Sequence, residues 1–316
     1  MALIRLEPHL FTSLPAHPSL PESDSRPQLQ PFLQEALCQA IYFLNKVPSR
    51  FKSSKQHSSA PSEAKVRLGS WRNDSDAKTS NKILKPEFWV CRRSEHVDAT
   101  APGTASWEEF ETGLRSNHAE HEMDYTPTVS GVEKLLEWPR SEALEVEESA
   151  SIKYIFKDVD VEVNLITHSF KPDALIAPRS FISLTISAMY DHMEEITMQG
   201  NHNNQNMTGF ITVQIPLKST PTSTPSDLHQ RIISAVPKQA IFANYASVER
   251  VSLLPPLPSP TDINPDRIHW TMATTSDAGG LIPKWVQRSW ILGGVPRAVV
   301  DDVGLFIGWT MRRRST

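Results

Sequence analysis

The feature that most constrains this chain is its last fifty or so residues, where an alternating strand runs through a glycine turn into a long apolar helix. In residues 267–274, Ile268, Trp270 and Met272 fall on one side and His269, Thr271 and Thr274 punctuate the rest, the period of a half-buried strand. That side needs a cover. Asp277, Gly279, Gly280 and Pro283 follow, two glycines free to take positive φ and a proline suited to the first turn of a helix. From Trp285 the sequence reads as helix to about Arg312, interrupted at residues 293–296. Val299, Val300, Val303, Phe306, Ile307, Trp309, Thr310 and Met311 form one broad arc of that helix. An arc so wide must touch more than one surface, so the helix either lies in a core between a sheet and a loop or lines an apolar cavity.

The preceding chain supplies the sheet. Short strands are predicted at residues 87–92, 151–156, 159–167, 180–190, 207–217, 241–253 and 267–274, with Pro- and Ser-rich connections that imply an antiparallel meander and not βαβ units. Residues 191–206 and 219–240 are expected to be long connections, the second with a helix over 227–234. Helices are also expected at 31–44, from Leu33, Leu37, Ile41 and Leu44 at helical spacing, and from Ser106, where Ser106 and Glu109 make a capping-box pattern. Residues 132–138 read as a short helix and 117–125 as a solvated segment; residues 1–28 read as an irregular arm. Residues 48–85, rich in Ser and Lys, read as a flexible insertion. The result is an α+β fold, a curved antiparallel sheet with helices from the two ends of the chain.

The order of Asp277, Gly280, Pro283, Trp285 and a long C-terminal helix resembles the end of START domains, the helix-grip lipid-binding family. Residues 103–115, with His118, His121, Glu122, Tyr125, Thr126 and Pro127, resemble a fungal START-like family of unknown function. The resemblance covers residues 86–312, with residues 29–47 as the N-terminal helix of the same domain and 313–316 as a basic tail. It implies a curved sheet wrapped around the C-terminal helix with an apolar cavity between them. Trp270, Met272, Trp285, Val299, Val303 and Phe306 are then candidates for the cavity lining, with His168, Arg179, His269 and the Glu249-Arg250 pair as polar strand groups able to reach into it.

The chemistry the chain lacks narrows its function. Gly279-Gly280 has no further glycine at the spacing of a dinucleotide fingerprint, and no phosphate loop, nucleophile elbow or paired zinc spacing occurs, so no cofactor or metal is expected. His118, Glu120, His121, Glu122 and Asp124 lack a metalloprotease spacing. A net charge of −4 gives no reason to expect nucleic acid. Cys38 and Cys91 make neither a disulfide framework nor a metal set. No apolar run reaches about 18 residues and the N-terminus has no signal-peptide pattern, so a cytoplasmic protein is expected, with a monomer as the expected state. Arg312, Arg313 and Arg314 either complement the helix dipole or make a transient contact with anionic membrane head groups.

Three functions fit. The first is carriage or sensing of a hydrophobic small molecule or lipid in the cavity, without catalysis. An alternative is a cyclase or related enzyme of secondary metabolism using the same pocket, and a third is an interaction module whose cavity is filled. A lining of Val, Leu, Ile, Phe and Met alone favours the first, and buried His with Glu or Arg the second.

Overall fold

The computed structural model describes residues 2–73, 86–141, 143–149, 152–171, 176–198, 201–254 and 266–315. In chain order its elements are β1 (His9–Leu10), α1 (Leu29–Asn45), α2 (Val47–Arg50), β2 (Lys52–Ser58), β3 (Lys65–Asn73), β4 (Glu87–Val97), α3 (Trp107–Leu114) and α4 (His118–Tyr125). Then come β5 (Val129–Ser141), β6 (Leu144–Ser149), β7 (Ile152–His168), β8 (Arg179–Met198), β9 (Asn201–Lys218), α5 (Ser226–Ala235), β10 (Ile241–Phe242), β11 (Asn244–Leu254), β12 (Arg267–Asp277), α6 (Lys284–Gln287) and α7 (Val295–Arg314).

One sheet, in the order β2-β3-β4-β12-β11-β9-β8-β7-β5, organises the molecule. Among the described residues its long ladders are antiparallel, and the short β1 and β10 pair in parallel, with β9 and β8. Side-chain alternation gives the sheet two unlike faces. One carries Trp89, Cys91, Val161, Val163, Leu184, Ile186, Ile211, Val213, Val248 and Ala273, packed under α1 through Leu33, Leu37, Ile41 and Leu44. The other carries Val90, Phe210, Val251, Ile268 and Trp270 beneath α3, α4 and α7. This is the helix-grip arrangement, an α+β fold with a curved antiparallel sheet and a C-terminal helix held against it.

The wide arc of α7 is explained by what surrounds it. Val303, Phe306 and Ile307 are fully buried over the sheet, and Phe306 meets Phe110 of α3 at 5.0 Å between ring centroids. At Gly304 the helix meets the turn between β2 and β3, where Ser59 Oγ accepts from the Gly304 backbone N–H at 2.8 Å. At its end, Arg314 donates to Glu109 Oε2 at 2.6 Å and to the carbonyls of Thr100, Ala101 and Thr104.

Several expectations need correction. Residues 52–58 and 65–73 are strands, β2 at the edge of the sheet and β3 between β2 and β4, not a flexible insertion; residues 74–85 lie outside the described residues. Only Val66 and Leu68 of β3 are buried, between exposed Lys65 and Arg67, so a strand with a polar outer side passes for a solvated linker. Residues 132–138 are strand, within β5. Register slips near Gly131, Leu135 and Ser141 break the two-residue period there, which left Leu135, Leu136 and Trp138 at spacings that suit a helix. Residues 118–125 form α4, with His118, Ala119 and Tyr125 buried. The 191–206 connection is largely strand, since β8 and β9 run on to Met198 and from Asn201. The N-terminal arm is not wholly irregular: it contains β1 and buries Phe11, Leu14 and Leu20 in the α1-side core, and Trp138 Nε1 donates to Ala16 O at 2.8 Å.

Candidate functional site

Between α7, α4 and the sheet lies a cavity of about 50 Å³. Its floor follows from strand register: Arg92 of β4 stands opposite Met272 of β12, Met272 opposite Glu249 of β11, and Glu249 opposite Thr212 of β9. The next row contributes Ser247 and Gln214, joined by a 2.8 Å hydrogen bond from Ser247 Oγ to Gln214 Oε1. Helical spacing supplies the walls. His118, Glu122 and Tyr125 share one face of α4 at i, i+4 and i+7, and Asp302 stands on α7 among Val299, Val303 and Phe306.

Arg92 is the centre of the arrangement. Its side chain is 2% exposed, and its Nη2 donates to Glu249 Oε1 at 3.0 Å. Trp270 Nε1 donates to the same oxygen at 2.7 Å, and the guanidinium lies 3.8 Å from the centre of a Trp270 ring. Nε and Nη1 of Arg92 are buried with no protein partner. A buried ion pair of this kind costs desolvation that only close geometry repays. Nearby, burial and the Arg92 charge push the His96 imidazole down to about 3, so it stays neutral, with Nε2 2.8 Å from Ser94 Oγ.

Asp302 is the other unusual group. Half-buried and lining the cavity, its carboxyl is pushed up to about 7, chiefly by desolvation and further by Glu122, Glu249 and Asp301, against the opposing pull of Arg92. On α4, His118 Nδ1 donates to Leu114 O at 2.8 Å, which turns Nε2 toward Glu122 Oε2, 3.9 Å away. The site therefore offers buried hydrogen-bond donors, a carboxyl that exchanges its proton near neutrality and a partly apolar wall of Leu114, Met272 and the Trp270 and Tyr125 rings.

The residues expected to line an apolar cavity divide accordingly. Trp270 and Met272 reach this space, which is lined by polar as well as apolar groups. Val299, Val303 and Phe306 are buried in the close-packed cluster with Phe110 and Trp309. Trp285 is exposed, and His269 is on the opposite side of the sheet, beside an open groove of about 360 Å³ with Lys65, Arg67, Arg93 and Glu95. His168 packs edge-on to Phe181 and meets Thr128 Oγ1 at 3.0 Å. Arg179 braces the turn before the last helix, donating from Nε to Ala278 O at 3.0 Å and from Nη1 to Ala177 O. Neither Arg92 nor Asp302 is among the candidates the sequence offers, although each is a charged residue at a period-2 or helical position otherwise occupied by core side chains. Among the described residues no three His, Cys, Asp or Glu side chains are placed to hold a metal.

In the turn, Gly279 and Gly280 have φ of +63° and +62°, and Asp277 Oδ1 accepts from Gly279 N at 3.0 Å. Pro283 directly precedes α6. A Cβ on Gly280 would stand 2.8 Å from Ile241 Cδ1. Gly280→Val should therefore cost about 1 to 3 kcal/mol in a urea melt, mostly backbone strain. An unchanged midpoint would remove the conformational role given to this turn.

Compared with known proteins, residues 89–310 match the model of a family described as protein of unknown function (DUF3074). Human STARD10, known from a crystal structure, is similar at 11% identity over 95% of this chain and 86% of that chain, with a TM-score of 0.43. No curated protein matches the chain.

Proposed function

The chain belongs to the DUF3074 family of proteins of unknown function, and we propose for it the binding, as carrier or sensor, of a hydrophobic small molecule or lipid whose polar group enters the cavity between α7 and the sheet. The observation that carries this reading is the pair of Arg92 nitrogens, buried at the cavity without a protein partner, since an unshared buried donor is costly unless something comes to accept from it. A space of about 50 Å³ holds a polar group and not a whole ligand, which ordinarily fills about 300 to 1,000 Å³. The apolar body of the molecule then lodges where α7 yields along the Val299, Val303 and Phe306 row. This reading treats the protein as a cytoplasmic monomer that works without cofactor or nucleic acid. Asp302, with buried His118 near Glu122 and the Arg92–Glu249 pair in the same cavity, supports a second reading, an enzyme of the same pocket that moves a proton.

Thr212→Phe tests the first reading by filling the cavity floor. A titration with a fluorescent fatty acid or sterol should show binding to the unaltered protein and affinity at least about tenfold lower in the variant, the effect of blocking a fitted pocket by roughly 1.4 kcal/mol or more. Native mass spectrometry of protein purified from its own host should show a retained small molecule. No probe bound and no retained mass would leave the domain as an interaction module. Conversion of a bound molecule that stops in Asp302→Asn would favour the enzyme.

A further inference from the structure

The segment that links β12 to α7 presents its apolar side chains outward. Leu281 is 98% exposed, Ile291 90%, Trp285 67% and Leu292 53%, and no other large apolar side chain among the described residues is as exposed as the first three. Lone exposed apolar residues are ordinary, but four within twelve positions are not. The segment is also held in shape from beneath. Gln287 accepts from the Ala278 backbone N–H and donates to Ile282 O, both at 3.0 Å, and Gly294 N donates to Ser289 O at 2.8 Å. The chain could have turned these side chains inward, yet internal hydrogen bonds fix a loop that displays them.

Charge identifies the partner. From residue 278 to residue 300 the chain has Lys284, Arg288 and Arg297 and no acidic residue. Arg297 is engaged by Asp301 and Arg288 is half-buried over the Phe88 ring, while Lys284 is exposed beside Trp285. Projecting Leu and Ile, a tryptophan with a polar ring edge and neighbouring cations match the boundary between head groups and acyl chains of an anionic bilayer. A protein groove would take the apolar side chains equally well but gives no reason for an exposed cation beside them, where the acidic neighbours Asp277 and Asp301 only flank the segment.

We propose that residues 281–292, with Lys284 and Arg288, form the surface by which this domain docks on an anionic lipid bilayer. The inference is independent of what the cavity binds. It also relocates the membrane contact from the C-terminal arginines: Arg314 is committed to Glu109 and Arg313 lies over Trp309, at the opposite end of a helix about 30 Å long.

Sedimentation of the full chain with phosphatidylcholine vesicles, with and without phosphatidylserine, tests this. Binding should need phosphatidylserine and weaken as salt rises. Leu281→Glu combined with Ile291→Glu should lower it at least about tenfold, and Lys284→Glu several-fold. Arg312→Glu and Ile233→Glu, both remote, should leave it unchanged. Because all these side chains are exposed, melting temperatures should not move, and Trp285→Ala gives a second, milder variant of the same surface. The proposal fails if the unaltered chain ignores phosphatidylserine vesicles, if the double variant binds as well, or if Arg312→Glu alone abolishes binding. It fails equally if light scattering shows a dimer that Leu281→Glu dissociates, which would make the surface a contact between copies.

Discussion

Glu249→Ala should lower the stability of the whole fold by about 3 to 5 kcal/mol, because it leaves a buried cation without its counter-charge. One oxygen, Glu249 Oε1, takes hydrogen bonds from both Arg92 and Trp270. With that oxygen gone, three nitrogens of a 2%-exposed guanidinium are unpaired, where two are already. Trp270 loses its acceptor too, in a cluster where its ring touches Phe110 and Phe306 at 5.3 and 5.4 Å. Urea melts of three variants separate the contributions. Glu249→Gln keeps an acceptor and loses the charge, so it should fall between the Ala variant and the unaltered chain. Arg92→Met with Glu249→Leu removes both charges and should recover most of the loss, since apolar replacement of a buried pair is often neutral. If Glu249→Ala melts within about 1 kcal/mol of the unaltered chain, the pair is solvated in solution and the cavity is wetter than its geometry implies.

The same pair shows where reading the sequence stopped. The helix-grip outline was legible because its signals are periodic: Ile268, Trp270 and Met272 alternate, Leu33 to Leu44 repeat at helical spacing, and Ser106 with Glu109 forms the capping box found in the structure. Legibility failed where periodicity was interrupted or shared. The slips in β5 disguised a strand, and a polar outer side disguised β3. The cavity failed for another reason. Its polar groups come from β4, β9, β11, α4 and α7, separated by up to 210 positions from Arg92 to Asp302, and only strand register brings Arg92, Glu249 and Thr212 into one row. An apolar arc on α7 suggested an apolar lining, yet the sheet beneath it buries Thr185, Ser187, Thr212, Gln214 and Ser247. Alternation marks a side chain as inward without saying whether its neighbours there are apolar.

Asp302→Asn should be more stable than the unaltered chain at pH 8 by about 2 to 4 kcal/mol, and the advantage should vanish near pH 4. The sign follows from the carboxyl's two affinities for its proton. In the unfolded chain it titrates at 3.8 and in the fold at about 7, so folding takes up a proton between those values. Its favourable contribution is complete below pH 3.8 and is lost as pH rises through about 7, where ionisation must occur in the cavity. Asparagine keeps the shape and never ionises. Glu249 from β11, Glu122 from α4 and the adjacent Asp301 oppose that ionisation, and Arg92 from β4 favours it without cancelling burial. His96 changes stability in the other direction, because a group held down at about 3 in the fold loses its contribution as pH falls from 6.5. Being present in both proteins, it drops out of the difference. Urea melts of the two proteins from pH 4 to pH 9 decide the matter. A difference that does not change with pH would mean that Asp302 titrates like an exposed carboxylate. The proton-transfer reading would then lose its basis, while ligand binding at Arg92 would stand.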